Sequence, residues 1–355
     1  MMNQAILDFD PQAEACDRSG FELGWDHARH GLVPAPGLLL DGTPVGQGWR
    51  AAKAVFGRRT LTPTRLVRRW LALRTDAWRR GVALDPGRVT WRHLSEIETG
   101  HCPVTRRAFG GADAPVVARL GSDPAYAPGA LAMLCPQAEA AREGLDAAAL
   151  LRRAAQAQAG LAEAPGGLTP AEAWRLAVLA SLATPLPFVE SVRVPLRVLP
   201  PPGLRPVNAA QRLQALVTLQ FASGGWSERI RRLAALLPPE GGDALRHDFH
   251  LLAGALAARV IEARAGRDPR AVRQALEDAW ADRRVNQRWQ ALAFGLGETG
   301  VLRLLERAVE AATARQPRRV TPGTAQPVGT PVAPARALRV VVPPRRPAAP
   351  GAARA

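Results

Sequence analysis

Three cysteines in 355 residues, Cys16, Cys102 and Cys135, are too few and too scattered for a disulfide framework. No C-x-x-C occurs, which argues against a cysteine-rich zinc site. Tyr126 is the single tyrosine and Lys53 the single lysine, so nearly all the basic charge is arginine. Acids are also scarce: 47 Lys and Arg face 31 Asp and Glu, a formal net charge of +16. No apolar run is long enough to span a bilayer; "LLAGALAARVI" at 251–261 is broken by Arg259. The first residues carry acids and no basic stretch, unlike a secretory signal, so the expected location is cytoplasmic, with no membrane partner. Also missing are a G-x-S-x-G, an H-E-x-x-H and a P-loop lysine.

What is present is abundant Ala, Gly, Pro and Arg, a pattern that suggests a GC-rich bacterial genome. Arginine binds phosphate well whatever raised its frequency, so the charge points first to nucleic acid. The fold class expected is mainly α. A small mixed α+β N-terminal region with a ββα finger precedes an all-α helical domain and a disordered tail. Residues 1–60 read as an irregular segment, because "DGTPVGQGW" is rich in turn formers. A basic helix and a mixed module fill 61–164, with Thr62 as cap, Pro63 in the first turn and Gly81 as stop. On that helix Arg65, Arg68, Arg69, Arg74, Arg79 and Arg80 crowd the side away from Leu66, Trp70 and Leu73, a candidate phosphate-binding face. "GRVTWRHL" reads as a short strand entering a helix, and "APVVARL" as a strand.

Residues 165–315 read as helical. Thr169-Pro170-x-Glu172 is a capping box, and Asn208, Asp243 and Asp268-Pro269 open further helices. Apolar residues recur at helical spacing, as in Leu245, Phe249, Leu252 and Leu256. "VRVPLRV" alternates like an edge strand, and Glu277-Asp278 reads as a solvated face. Trp280 and Trp289 point to packing rather than to a platform for stacked bases. From Gln316 to the end there is no acid, and the Pro, Arg and Ala composition predicts a disordered basic tail.

The stretch "HLSEIETGHCPVTRR" at 93–107 carries a Cys-Pro-x-Thr-Arg turn, and Arg119, Tyr126, Gly129 and Leu131 lie downstream of it. In this combination residues 93–144 resemble HNH-like modules of bacteria and phages, the ββα-metal or His-Me finger nucleases. Cys102, Pro103, Thr105 and Arg106 match the opening turn, Arg119 an Asp-Arg pair, and Tyr126, Gly129 and Leu131 the later positions. The resemblance implies a metal-dependent nuclease fold, but the residues that would do its chemistry are replaced. Ala118 stands in place of the aspartate, Ala130 and Glu139 in place of the asparagines, and Arg142 in place of the closing lysine. An alanine holds no cation and activates no water. No catalytic residue, metal ligand or cofactor is therefore assigned. The expectation is a noncatalytic nucleic-acid-associated protein of a plasmid, phage or integrated element, carrying a degenerate finger. A helical scaffold for protein partners is the alternative. Less favoured is a working nuclease using Asp113, Asp123, His93 or His101; His27 and His30, three apart, lack a third ligand.

Overall fold

The computed structural model describes residues 11–121, 125–239, 242–266 and 268–314; the tail from Gln316 and Asp123 lie outside these. The described part is mainly helical with one small sheet, and its helices belong to a single compact unit ending at Thr313.

Residues 1–60 are not irregular where described. Helix α1 (Pro11–Arg29) and helix α2 (Pro44–Phe56) pack against each other. Their glycines mark close approach, not turns. A Cβ on Gly24 would lie 2.0 Å from the Val45 carbonyl oxygen, and one on Gly48 would lie 2.0 Å from that of Phe21. Thr43 caps α2 by accepting from the Gly46 N–H, with Pro44 in the first turn. Helix α3 (Arg65–Arg79) is capped by Thr64, which accepts from Val67 N–H; the cap is two residues later than Thr62 because Thr64 is the residue with extended backbone beside the first turn. Helix α4 (Trp91–Glu96) is capped by Thr90, and the residues before it form turns rather than the expected strand, with one bridge, between Leu84 and Tyr126, among the described residues.

Strands β1 (Val116–Arg119) and β2 (Leu131–Leu134) pair antiparallel, Val117 opposite Met133 and Ala118 opposite Ala132. Helix α5 (Pro136–Arg142) follows at once. Because side chains alternate across a strand, the hairpin has two buried faces. Val117, Leu131 and Met133 join the core of α1–α4 with Leu23, Trp70 and Leu94. Ala118, Ala132 and Leu134 join the larger core that runs from Cys102 to Leu305.

That larger core is built by α6 (Ala147–Gln158), α7 (Pro170–Leu182), α8 (Phe188–Arg193), α9 (Ala209–Leu219), α10 (Trp226–Ala234), α11 (Gly242–Glu262), α12 (Pro269–Ala279) and α13 (Arg283–Thr313). The capping box of Thr169 and Glu172 forms, and Asp268 caps α12. No break in packing accompanies 164–165, where a domain boundary was expected: α6 packs on α7, and one core spans both sides. Gly297, at φ 64 and ψ 171, interrupts α13. Residues 194–199 form no strand. Their alternation buries Val194, Leu196 and Val198, but side chains satisfy the backbone instead of a neighbouring strand: Gln214 donates to the Val194 carbonyl and Arg273 to that of Leu199. Trp280 and Trp289 are fully buried, their rings edge to face at 6.0 Å. No helix among the described residues is long and apolar enough to cross a membrane.

Candidate functional site

The Cys-Pro-Val-Thr-Arg turn is a closed loop. Arg106 N–H donates to the Cys102 carbonyl at 2.8 Å, and Cys102 N–H donates to the Arg107 carbonyl at 2.9 Å. Arg106 takes φ 61, a left-handed conformation unusual for a residue with a side chain. The geometry is held from outside by arginines. Arg175 of α7 donates to the Val104 carbonyl, and Arg270 of α12 donates to the Arg106 carbonyl at 2.5 Å. The Arg106 guanidinium forks onto Asp278 at 2.7 and 2.9 Å and reaches Glu277 at 3.2 Å.

Glu277 is therefore not on a solvated face. Its side chain is 5% exposed, against 59% for Asp278. It accepts from Arg106, Arg273 and the Leu199 N–H, so one carboxylate ties the turn, α12 and the 194–200 crossing together. Burial pushes its carboxyl up, against the pull of Arg273, the Leu199 N–H and Arg106.

The residues matched to the finger pattern do not converge on one point. Cys102, Pro103, Thr105 and Arg106 share the turn, on the side of the helical core. Tyr126 belongs to the other core, across the hairpin, with the Arg119 guanidinium 5.5 Å from its ring centre. Gly129, at φ 92, accepts from the Arg205 N–H through its carbonyl. Ala118 and Ala132, at the centre of the hairpin, are buried in apolar packing. Glu139 is engaged by Arg142 at 2.5 Å. Asp113 is 3.3 Å from Arg107, and His93 lies 3.5 Å from Glu96. Among the described residues no group of three or more His, Cys, Asp or Glu is arranged to hold a metal ion. What fills the finger is side-chain packing: Leu134, Cys135, Ala138 and Ala141 on the face toward Cys102.

Four of the six arginines on and just after α3 meet a carboxylate, though Arg74 alone is buried. Arg74 is buried, pairs with Asp26 of α1 and lies 4.7 Å over the Trp70 ring. Arg65 and Arg69 share Glu98, at 2.5 and 3.1 Å, and Arg80 pairs with Asp76 at 3.1 Å. Arg68 and Arg79 are exposed and make no ion pair among the described residues. His27 is buried next to Asp26, the partner of Arg74, its Nδ1 2.9 Å from the Leu23 carbonyl oxygen, while His30 is half-buried beside it; they hold no common third ligand among the described residues.

Sequence reasoning did not single out Arg175, Arg270 or Arg273, since nothing local distinguishes them from other charged helix residues, and it placed Glu277 on a solvated face. Cys135 carried a legible signal: it opens a second Cys-Pro pair, Cys135-Pro136, after Cys102-Pro103. No family model matches the chain, and no curated protein and no solved structure matches it either.

Proposed function

We propose that the protein is a noncatalytic nucleic-acid-associated protein in which the finger is an internal clamp. Contact with phosphate is made by the tail from Gln316 and by Arg68 and Arg79. One observation carries the reading: the tail's sequence holds arginine and no acid, and two arginines of α3 meet no carboxylate among the described residues. Seven arginines and no acid lie from Gln316 on, and Arg68 and Arg79 are exposed without a carboxylate partner among the described residues. By contrast, the remaining α3 arginines are largely offset by Asp26, Glu98 and Asp76. The interior of the finger adds support from the other side, because apolar side chains occupy it.

Phosphate contacts release counterions, so affinity falls with salt at a slope of about 0.9 per contact. Binding of the full chain to duplex and single-stranded DNA and to RNA is measured by fluorescence anisotropy over a salt series. Removing residues 316–355 is expected to flatten the slope by up to about six, and Arg68→Ala with Arg79→Ala by up to about two. Binding that ignores salt, or no binding to any of the three polymers, overturns the reading.

A further inference from the structure

Two cavities open between α1, α3 and the chain that follows α3, and Arg74 and Pro86 line both. The local sequence builds the larger one. Gly81, at φ 63, turns the chain after α3, and the Tyr126 N–H donates to the Ala83 carbonyl at 2.8 Å, which anchors the wall formed by residues of 81–86. Toward α1 the wall is the Trp78 indole. Its Nε1 donates to the Cys16 carbonyl at 3.1 Å, and a Cβ on Gly20 would lie 2.8 Å from that nitrogen. Leu23, Ala77, Val82 and Leu84 give the lining its apolar character, and the cavity holds about 620 Å³, within the range of small-molecule sites.

Arg74 is the one charged residue among those that line this cavity. Its side chain is 5% exposed, and the guanidinium lies 4.7 Å over the Trp70 ring. Its printed acceptor is a single one: Nη1 donates to Asp26, which lines the second cavity and not the first. A guanidinium has five N–H donors in a planar fork, so the edge bonded to Asp26 leaves others over. None of them is a buried donor shut away without a partner, so they open onto the space that Arg74 lines. A cation held in apolar surroundings with donors to spare favours an anion. Asp26 does not prevent this. Two carboxylates on opposite edges of one guanidinium are roughly twice as far from each other as from the cation, so their repulsion is roughly half of each attraction. A dianion such as phosphate would leave a charge unmatched among apolar walls, whereas a single carboxylate with an apolar body suits both the cation and the lining.

We propose that the cavity between α1, α3 and residues 81–86 is a binding site for a small apolar monocarboxylate. Arg74 takes the carboxylate on the edge that Asp26 leaves open, and the aromatic or alkyl body lies against Leu23, Ala77, Trp78 and Leu84. Cys16, at the rim, is exposed, while Cys102 and Cys135 are buried, so one thiol of the native chain reports on occupancy. The inference does not depend on nucleic-acid binding.

The test titrates the full chain with 3-phenylpropionate and with octanoate in a calorimeter, beside the uncharged 3-phenylpropanol and octanol. One acid per chain is expected to bind, at least about tenfold more tightly than the alcohol of the same body. Each acid is also expected to slow alkylation of Cys16 by N-ethylmaleimide, with a half-point equal to its Kd. Absence of binding by both acids overturns the proposal, as do equal affinities for acid and alcohol, or binding that leaves the Cys16 rate unchanged. Arg74→Met keeps an apolar stem and should remove the preference for acid; a folded variant that retains it counts against the site. Because Arg74→Met strands Asp26, Asp26→Asn supplies the second arm. It removes the competing charge and should tighten the acid several-fold with the alcohol unaffected, which a purely structural Arg74 would not do. Should neither variant fold, the parent chain's acid-to-alcohol ratio and Cys16 protection decide the matter.

Discussion

Helix α3 and the turn at 102–107 are both dense in arginine, and their guanidinium groups end in different surroundings. In the turn, Arg106 reaches the buried carboxylate Glu277 and the buried Arg175 holds the Val104 carbonyl, so these cations and acceptors are largely withdrawn from water, while the exposed Arg270 braces the Arg106 carbonyl from outside. On α3 only Arg74 is treated this way; Arg65, Arg69 and Arg80 meet partly exposed acids, and Arg68 and Arg79 meet none among the described residues. Ion pairs exposed to solvent contribute up to about 1 kcal/mol, whereas breaking a buried one costs several. Arginine in this protein is therefore a structural group in one place and an unengaged surface cation in another. The number of arginines on an element says little about which role each has; the number left without an acceptor says more.

The sharpest way to break the comparison is at Glu277. Glu277→Ala strands Arg106 and Arg273 and leaves the Leu199 N–H without an acceptor, so a loss of about 3–5 kcal/mol is expected in urea unfolding. Asp278→Ala removes a carboxylate that is 59% exposed and already hydrated, and should cost no more than about 1 kcal/mol. Equal losses would mean that the fork onto Asp278, not the buried carboxylate, fixes the turn.

The same contrast exists within α3. Asp26→Ala leaves the buried Arg74 without its carboxylate, with an expected loss of about 1–3 kcal/mol. Glu98→Ala should cost less than about 1 kcal/mol and do something Asp26→Ala does not: it releases Arg65 and Arg69. Nucleic-acid binding should then become steeper in salt, by up to about two in the slope. A Glu98→Ala chain with unchanged salt dependence would show that Arg65 and Arg69 do not join the proposed interface even when released.

What the sequence made legible was local. Thr169 with Glu172 and Asp268 with Pro269 are complete signals within four residues, and the helices they open are present. The apolar spacing of α9, α11 and α12 is likewise a property of one segment. The helical pair α1–α2 was hidden because Gly24 and Gly48 serve a contact with a neighbouring backbone, and glycine looks the same in sequence whether it bends a chain or lets another one near. Glu277 was misread for a related reason: its partner Arg106 is 171 residues away, and a carboxylate beside a second carboxylate resembles any exposed pair until that partner is in view. The strands of the finger were partly visible, but not that the hairpin would divide two cores and place Tyr126 and Cys102 on opposite faces.

The smallest expected effect concerns the α1 side of the Arg74 pair. His27 is buried beside Asp26, Arg74 and His30, and burial is the main cause that lowers its pKa, ahead of the opposing Leu23 carbonyl and the Arg74 charge. With Nδ1 bonded to that carbonyl, the neutral ring is the form the fold accommodates best. A folded pKa below the unfolded value of 6.5 means that the contribution of His27 is fully present above pH 6.5 and is lost as the pH falls through the folded value. His30 shifts in the same direction, again chiefly by burial, and adds to the loss. Unfolding midpoints in urea should thus be level from pH 8 to about 6.5 in respect of these rings and decline below it. His27→Gln keeps a donor for the Leu23 carbonyl but cannot take up a proton, so its decline should be shallower, with the Asp26→Ala loss at neutral pH unaffected. A His27→Gln profile that superimposes on the parent's would show that the proton goes elsewhere, and that Arg74 and Asp26 alone set the electrostatics of the α1–α3 contact.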